Sequence, residues 1–383
     1  AAAGLGIGLM TDFCTGSGGV LFGGAYGLGG LLAGQSGGRR SRAALWYLAG
    51  VFTALLPVKN QLAVPLLLVA SLFVGPADIS AGDVLAALTG GDMPVTTRYI
   101  VTEVRLPQAL TAAVCGAALA VCGLLLQNIF RNPLADPSVF GISSGAAAGV
   151  AVVTLLLGGS TASMSIGGMG ATVGAAFVGA MTVTAIMTAL SLAVRGNAAL
   201  LIMGLMIGYV ASALITVLNY FATADGVKSY LMWGMGNFSN VSMDKMAWMA
   251  VPVCVAMIAA IALSKQLDLM QLGDNYATAL GADTRRIRYG VLLLTGFITA
   301  VTTAFCGPVA FIGLAVPHIS RLLLHTDRHA VLLPATIATG AVTAIACNAA
   351  CSLPGGGGML PVNAITPLVG APVVIYIILR KRK

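Results

Sequence analysis

Charge is what this sequence has least of. Only 8% of its 383 residues are Asp, Glu, Lys or Arg, against about a quarter in an ordinary soluble domain. A single glutamate occurs, Glu103, and no acidic residue falls well inside a long apolar run. A carrier that moves protons normally needs a buried ionisable group, so proton-driven transport is disfavoured. Sodium coupling through the carbonyls of broken helices passes the same test. The dipeptide Gly-Lys never occurs, so the G-x-x-x-x-G-K-[ST] loop that cradles nucleotide phosphates is missing. Any ATP that powers this chain must be bound by another polypeptide. The seven cysteines form no C-x-x-C pair and no His–Cys metal spacing. Cys115/Cys122 and Cys347/Cys351 stand in apolar stretches as small packing residues. His318, His325 and His329 gather at one end of an apolar run and its loop, a pattern that suits a solvated contact face better than catalysis. No catalytic residue, bound cofactor or metal site is expected.

What the chain has in abundance is apolar surface: 58% of it is hydrophobic, with a mean hydropathy of +0.95. That composition predicts an all-α polytopic protein whose first partner is the lipid bilayer. A span needs roughly 20 apolar residues to cross about 30 Å of hydrocarbon. The spacing predicts about ten spans, near 48–74, 104–128, 138–158, 168–194, 198–222, 245–265, 288–307, 309–324, 330–353 and 364–379. The eighth is short, bounded by Gly307-Pro308 and His325, and reads as a half-length or tilted helix. Residues 1–42 alternate Gly/Ala-rich patches with polar ones and read as a poorly ordered extension; residues 43–383 form the membrane domain. Gly145/Gly149, Gly170/Gly174 and Gly204/Gly208 are small-xxx-small faces that permit close helix crossings. No clear internal repeat is visible.

The net charge of +8 reads as cytoplasmic loops facing anionic headgroups and not as a nucleic-acid surface. With the N-terminus inside, Arg131, Arg195, Lys265, Arg285, Arg286, Arg288, Arg321 and Arg328 fall on inward connections, and 380–383 close the chain on the same side. Outward basic residues (Arg98, Arg105, Lys228, Lys245) are balanced locally by Asp92, Glu103, Asp225 and Asp244. Both termini are therefore expected in the cytoplasm.

One polar island interrupts the apolar pattern, residues 267–288. Asp274 is placed to cap a short helix over 275–280, Gly281 offers its left-handed stop, and Asp283 can cap a second helix carrying Arg285, Arg286 and Arg288. Two short helices about a glycine on the basic side make a rigid surface knob, suited to touching a cytoplasmic partner.

Three stretches together resemble the permease subunits of ATP-binding-cassette importers for iron chelates, haem and cobalamin, the FecCD family. They are Val104–Leu110 (VRLPQAL) leading into LLLQNIFRNPLADPSVFGISSGA at 124–146, ALGADTRR at 279–286, and CGPVAFIGLAVPHISRLL at 306–323. The closing LPVNAITPLVGAPVVIYIILRKRK is similar too, so the likeness covers about 43–383 in order. The resemblance implies coupling helices at 268–286 that dock on a separate ATPase subunit carrying Mg-ATP, with Leu280, Gly281 and Ala282 at the contact and Arg285 and Arg286 beside it. Asn132, Pro133 and Leu134 match a loop that closes the inner end of the pathway. Arg105 and Gln108 match positions that meet a periplasmic or lipoprotein substrate-binding protein. It further implies a second copy of the permease as homodimer partner, and the bacterial inner membrane as location. Where family members carry a second arginine after Arg-Leu-Pro, Gln108 stands here; an acid and a base of the ninth span are Asn348 and Ser352. The acidic residue before the last Leu-Pro is Met359, and a following glycine is Asn363. The competing expectation is a stand-alone sodium-coupled secondary transporter.

Overall fold

A computed structural model describes residues 63–380 apart from 76, 78, 92, 157–165, 195–196 and 353–358. The expected N-terminal extension, residues 48–62 of the first span, Arg195 and residues 381–383 lie outside the described residues. Those that are described form helices and connections, with no strand among them. In chain order the helices are α1 (Ala63–Leu72), α2 (Ala81–Thr89), α3 (Val95–Phe130, with a π-helical turn at Ile100–Arg105), α4 (Ile142–Leu156) and α5 (Ile166–Ala193). Then come α6 (Asn197–Phe221), α7 (Ala224–Gly234), α8 (Met243–Ala262), α9 (Ser264–Gln271) and α10 (Asp274–Ala279). The last four are α11 (Thr284–Cys306), α12 (Ile312–Leu324), α13 (His329–Cys351) and α14 (Val362–Arg380). Helices α3, α5, α6, α8, α11 and α13 are long and apolar enough to cross a membrane; α4, α12 and α14 are shorter apolar helices. This is an all-α, polytopic membrane protein.

Helix α3 is the post around which the others stand. Every side chain from Ala117 to Phe130 on it is buried, under α8, α11, α12 and α13. Lipid offers helices little hydrophobic drive to associate, so contact comes from close backbone approach. A Cβ added at Gly123 would lie 1.7 Å from the Gly313 carbonyl oxygen of α12, and one at Gly340 of α13 would lie 2.5 Å from that of Gly116. Buried threonines fit this interior because their hydroxyls fold back on the same helix: Thr295 donates to the Val291 carbonyl at 2.8 Å, and Thr339 to Ala335 at 2.8 Å. The small-residue faces divide. Gly145 and Gly149 lie against Gly179 and Ala175, and Gly204 against Phe140, whereas Gly170 and Gly174 face open space. Outward, α6 shows Ile202, Tyr209, Val210 and Val217, and α8 shows Trp248, Val251, Val255 and Ile258, faces suited to lipid or to another span.

Several boundaries differ from the sequence expectations. Helix α3 begins at Val95 instead of near 104, because Arg98 and Glu103 interrupt hydropathy without interrupting the helix. Helix α4 begins at Ile142, since Asp136 to Gly141 turn back on themselves (Val139 N–H to Asp136 carbonyl, 3.0 Å; Gly141 N–H to Ser138 carbonyl, 3.2 Å). Helix α7 was not expected at all; Thr223 caps it by accepting the Gly226 N–H at 3.3 Å. The half-length eighth span is present as α12, of 13 residues, entered through left-handed Gly307 (φ 74) and Phe311 (φ 69).

Candidate functional site

The polar island forms the compact projection α9–α10–α11. Helix α10 ends in a Schellman turn: the Gly281 N–H donates to the Thr278 carbonyl and the Ala282 N–H to that of Ala277, both at 2.9 Å. Gly281 takes φ 85 there, and nothing lies within 4 Å of where its Cβ would be. A side chain at Gly281 would meet backbone strain before it met a neighbour. Asp283 caps α11, accepting the Arg286 N–H at 3.0 Å and pairing with that guanidinium at 2.9 Å. Leu272 at the end of α9, Tyr276 in α10 and Leu280 at the end of α10 are all exposed; Gly273, at φ 113, breaks the helix after Leu272, so Tyr276 and Leu280 are the pair spaced along α10 itself. Exposed Arg285 and Arg286 lie beyond it, with Ala282 half-buried between. Exposed apolar side chains with basic neighbours and a bare backbone turn are chemically equipped to seat against a folded partner.

One local expectation fails. Asp274 does not cap α10; Gly273 holds that position at φ 113, and Asp274 is the first helical residue. Its carboxylate bridges two arginines instead, one oxygen accepting from Arg131 at 2.8 Å and the other from Arg288 at 2.9 Å. Two guanidinium partners outcompete a terminal N–H for the same anion, since ion-paired hydrogen bonds are the stronger kind.

Behind the projection lies a polar layer around the C-terminal end of α3. Asn128 donates to the Leu267 carbonyl at 3.0 Å and lies 2.7 Å from His329 Nε2. Asp268 accepts both the His329 backbone N–H (2.9 Å) and its Nδ1–H (2.7 Å). With Nδ1 donating to a carboxylate, Nε2 is left to accept from the Asn128 amide, so the neutral ring satisfies both neighbours. Arg321 donates to Gln127 at 2.8 Å and faces Asp327 at 3.5 Å. The histidine expectation is therefore corrected: His325 is exposed, but His318 and His329 are buried bracing groups.

The loop after α3 is held in a defined shape. Arg131 closes the helix in a left-handed conformation (φ 46). Asn132 Oδ1 accepts the Leu134 N–H at 2.9 Å, and the Pro133 carbonyl accepts from His318 Nε2 at 2.8 Å. Leu134 stays exposed. Asp136 is buried and bonded by the N–H (3.1 Å) and O–H (2.5 Å) of Ser138. Burial pushes its carboxyl above the ordinary range, and the Ser138 bonds hold it partly down.

At the opposite end the expected docking residues are turned inward. Arg105 is 6% exposed; it donates to the Leu72 carbonyl at 2.7 Å and to that of Ala77 at 2.6 Å, tying α1 to α3. Gln108 is also 6% exposed and donates to Asn348 Oδ1 at 2.8 Å, with Met359 Sδ at 3.5 Å. A guanidinium spent on two backbone carbonyls is not a free surface charge, so an exposed ion pair through Arg105 does not fit its position. Exposed charge at this end comes instead from Arg98, Glu103, Asp225 and Lys228. Three substitutions noted separately along the chain (Gln108, Asn348, Met359) prove to be one cluster. Asn363, another of the departures, donates to the Pro308 carbonyl at 2.6 Å and accepts the Ala310 N–H at 3.1 Å, closing the break between α11 and α12. Among the described residues no group of three His, Cys, Asp or Glu side chains is placed to hold a metal ion.

The model of the FecCD transport family matches residues 63–380. The vitamin B12 import system permease protein BtuC of Salmonella paratyphi A is 32% identical over 313 residues, covering 82% of this chain and 91% of the relative. The protein of the same name from Salmonella typhi matches at the same identity and coverage. Among solved structures, one described as a metal-chelate type ABC transporter in an inward-facing conformation superposes with a TM-score of 0.72 at 27% identity, covering 87% of this chain and 98% of that one.

Proposed function

This chain belongs to the FecCD transport family, as a permease subunit of an ABC importer, and from that premise we propose that it carries a metal chelate of the cobalamin, iron-siderophore or haem class across the bacterial cytoplasmic membrane. Two copies pair around the pathway, with both termini in the cytoplasm. A substrate-binding protein delivers the chelate from outside. A separate ATPase subunit, which holds Mg-ATP, docks on α9–α10–α11. Closure of the ATPase dimer on ATP moves the two projections, and the loops at Asn132–Leu134 shut or open the inner end. ATP does work here only through differential stabilisation of outward- and inward-facing states. The chain's own residues bind, brace and move; none makes or breaks a bond.

The observation that carries this reading is the cluster of exposed Leu272, Tyr276 and Leu280 around α10, beside the open Gly281 turn. A solvated loop has no need of three large exposed apolar side chains within nine residues; a docking surface does. The test is reconstitution of the permease with its ATPase and binding protein in proteoliposomes. Leu280→Glu is expected to release the ATPase on size-exclusion chromatography and to abolish ATP-dependent uptake. Uptake by the permease alone under a sodium gradient, or full import by the Leu280→Glu complex, would overturn the proposal. Parallel assays with cyanocobalamin, a ferric siderophore and haem identify the chelate.

A further inference from the structure

We infer that Asp274 is the positioning residue that transmits movement of the docking projection to the inner gate loop, through the bridge Arg131–Asp274–Arg288. This deepens the proposed function and rests on α10 being the ATPase-facing element.

The argument begins with how weakly α10 is otherwise attached. Of its six residues only Ala277 is buried. What ties it sideways is the Asp274 carboxylate, with one oxygen on Arg288 in the first turns of α11 (2.9 Å) and the other on Arg131 (2.8 Å). Arg131 is 143 residues away in sequence. It is also the residue that caps the post helix α3, held at φ 46, immediately before Asn132, Pro133 and Leu134. A displacement of α10 therefore pulls on the residue from which the gate loop departs. The same helix end is held one turn earlier by Asn128, which donates to the Leu267 carbonyl of α9 at 3.0 Å. Two attachments at different heights resist rotation as well as translation, so the end of α3 follows the projection as a body.

Both partners of the Arg131–Asp274 pair are 43% exposed, and pairs of that kind add little to stability. Burial does not hold this pair in place, and its loss is expected to leave the fold standing. The role assigned to it is directional.

The experiment uses the full complex of permease, ATPase and binding protein in proteoliposomes, reading chelate imported per ATP hydrolysed. Asp274→Asn is expected to keep complex assembly and ATP turnover while lowering that ratio about ten-fold, a size typical of coupling between sites. Asp274→Glu restores it. Arg131→Gln reproduces the defect, and the double variant is no worse than either single one, as two halves of one connection require. An unchanged ratio in Asp274→Asn would overturn the inference. So would dissociation of the ATPase, which would make Asp274 part of the docking surface. These outcomes are separate from Leu280→Glu, whose failure to release the ATPase removes the docking reading itself.

Discussion

The two ends of α3 are built from different materials. At the inner end Asn128 and Arg131 meet Asp268, Asp274, Arg288 and His329, charged or titratable groups of which several reach solvent. Near the outer end, one turn inside the charged start of α3 at Arg98, Glu103 and Arg105, Gln108 meets Asn348 and Met359, neutral groups in a tighter interior. The contrast follows from what each end can draw on. A charge at the inner end borrows water when its partner shifts, so ion pairs there can lengthen and re-form while the protein changes state. A buried amide pair cannot exchange with water at low cost, and it fixes α3 against α13. The comparison separates a hinge-like end from a clamped one.

Charging the clamped end gives the largest expected effect. Asn348→Asp alone places a carboxylate beside Gln108, whose neutral amide is no counter-ion, and an uncompensated buried charge costs about 3–5 kcal/mol. Gln108→Arg alone errs in the opposite sense. Combined, the two supply each other's counter-ion, so most of the loss is expected to return. Thermal melts of the detergent-solubilised protein measure this. If the double variant melts no higher than the worse single one, the cluster is not a pair and the contrast between the ends weakens.

Breaking the hinge-like end costs less. His329→Ala removes partners from Asp268 and Asn128; Asp268 remains 39% exposed and is rehydrated, whereas Asn128 is buried. About 1–3 kcal/mol is expected for the one stranded buried group. His329→Gln is expected to recover part of it, since an amide can again accept from Asn128. A loss as large as that of Asn348→Asp, seen in the same melts, would show that both ends are clamped alike.

Much of this arrangement was legible in the chain, and the rest was hidden for physical reasons. Long apolar runs located the six long apolar helices α3, α5, α6, α8, α11 and α13 because lipid demands uninterrupted hydropathy, and Gly307-Pro308 announced the half-length α12. Asp283 and Gly281 act within a turn of themselves, so their capping and stopping roles could be read locally. Asp274 could not be read that way: its partner Arg131 is distant in sequence, and a long-range ion pair displaced the local cap. Arg105 misled for a related reason. Arginine beside an apolar run looks like a rim charge, while its acceptors are carbonyls 33 and 28 residues upstream, which no side-chain pattern marks. Helix α7 escaped notice because Asp225 and Lys228 gave it the look of a loop, although Thr223 stood three residues before Gly226 as a cap. The Gln108–Asn348–Met359 cluster was visible as three departures from a family pattern, and only the fold showed that they touch.

The smallest effect is expected between the two ends, where Asp136 sits under the first turn of α12. A Cβ at Gly313 would come within 2.4 Å of its Oδ1, so the carboxyl lies against backbone with little room for water. Burial raises its pKa, while the Ser138 N–H and O–H pull it back. A carboxyl whose folded pKa lies above its unfolded value, about 3.9, contributes stability that is fully present below the unfolded value. That contribution is lost as pH rises through the folded one. Asp136→Asn keeps an acceptor for Ser138 and removes the titration. The variant should therefore melt above the wild type at neutral pH, with the gap narrowing as the solution is acidified. The opposing influence is the N-terminus of α12, whose dipole favours a negative charge. If Asp136→Asn melts below the wild type at neutral pH, that dipole outweighs burial, and the middle of the inner loop belongs with the charged end of α3 and not with the neutral one.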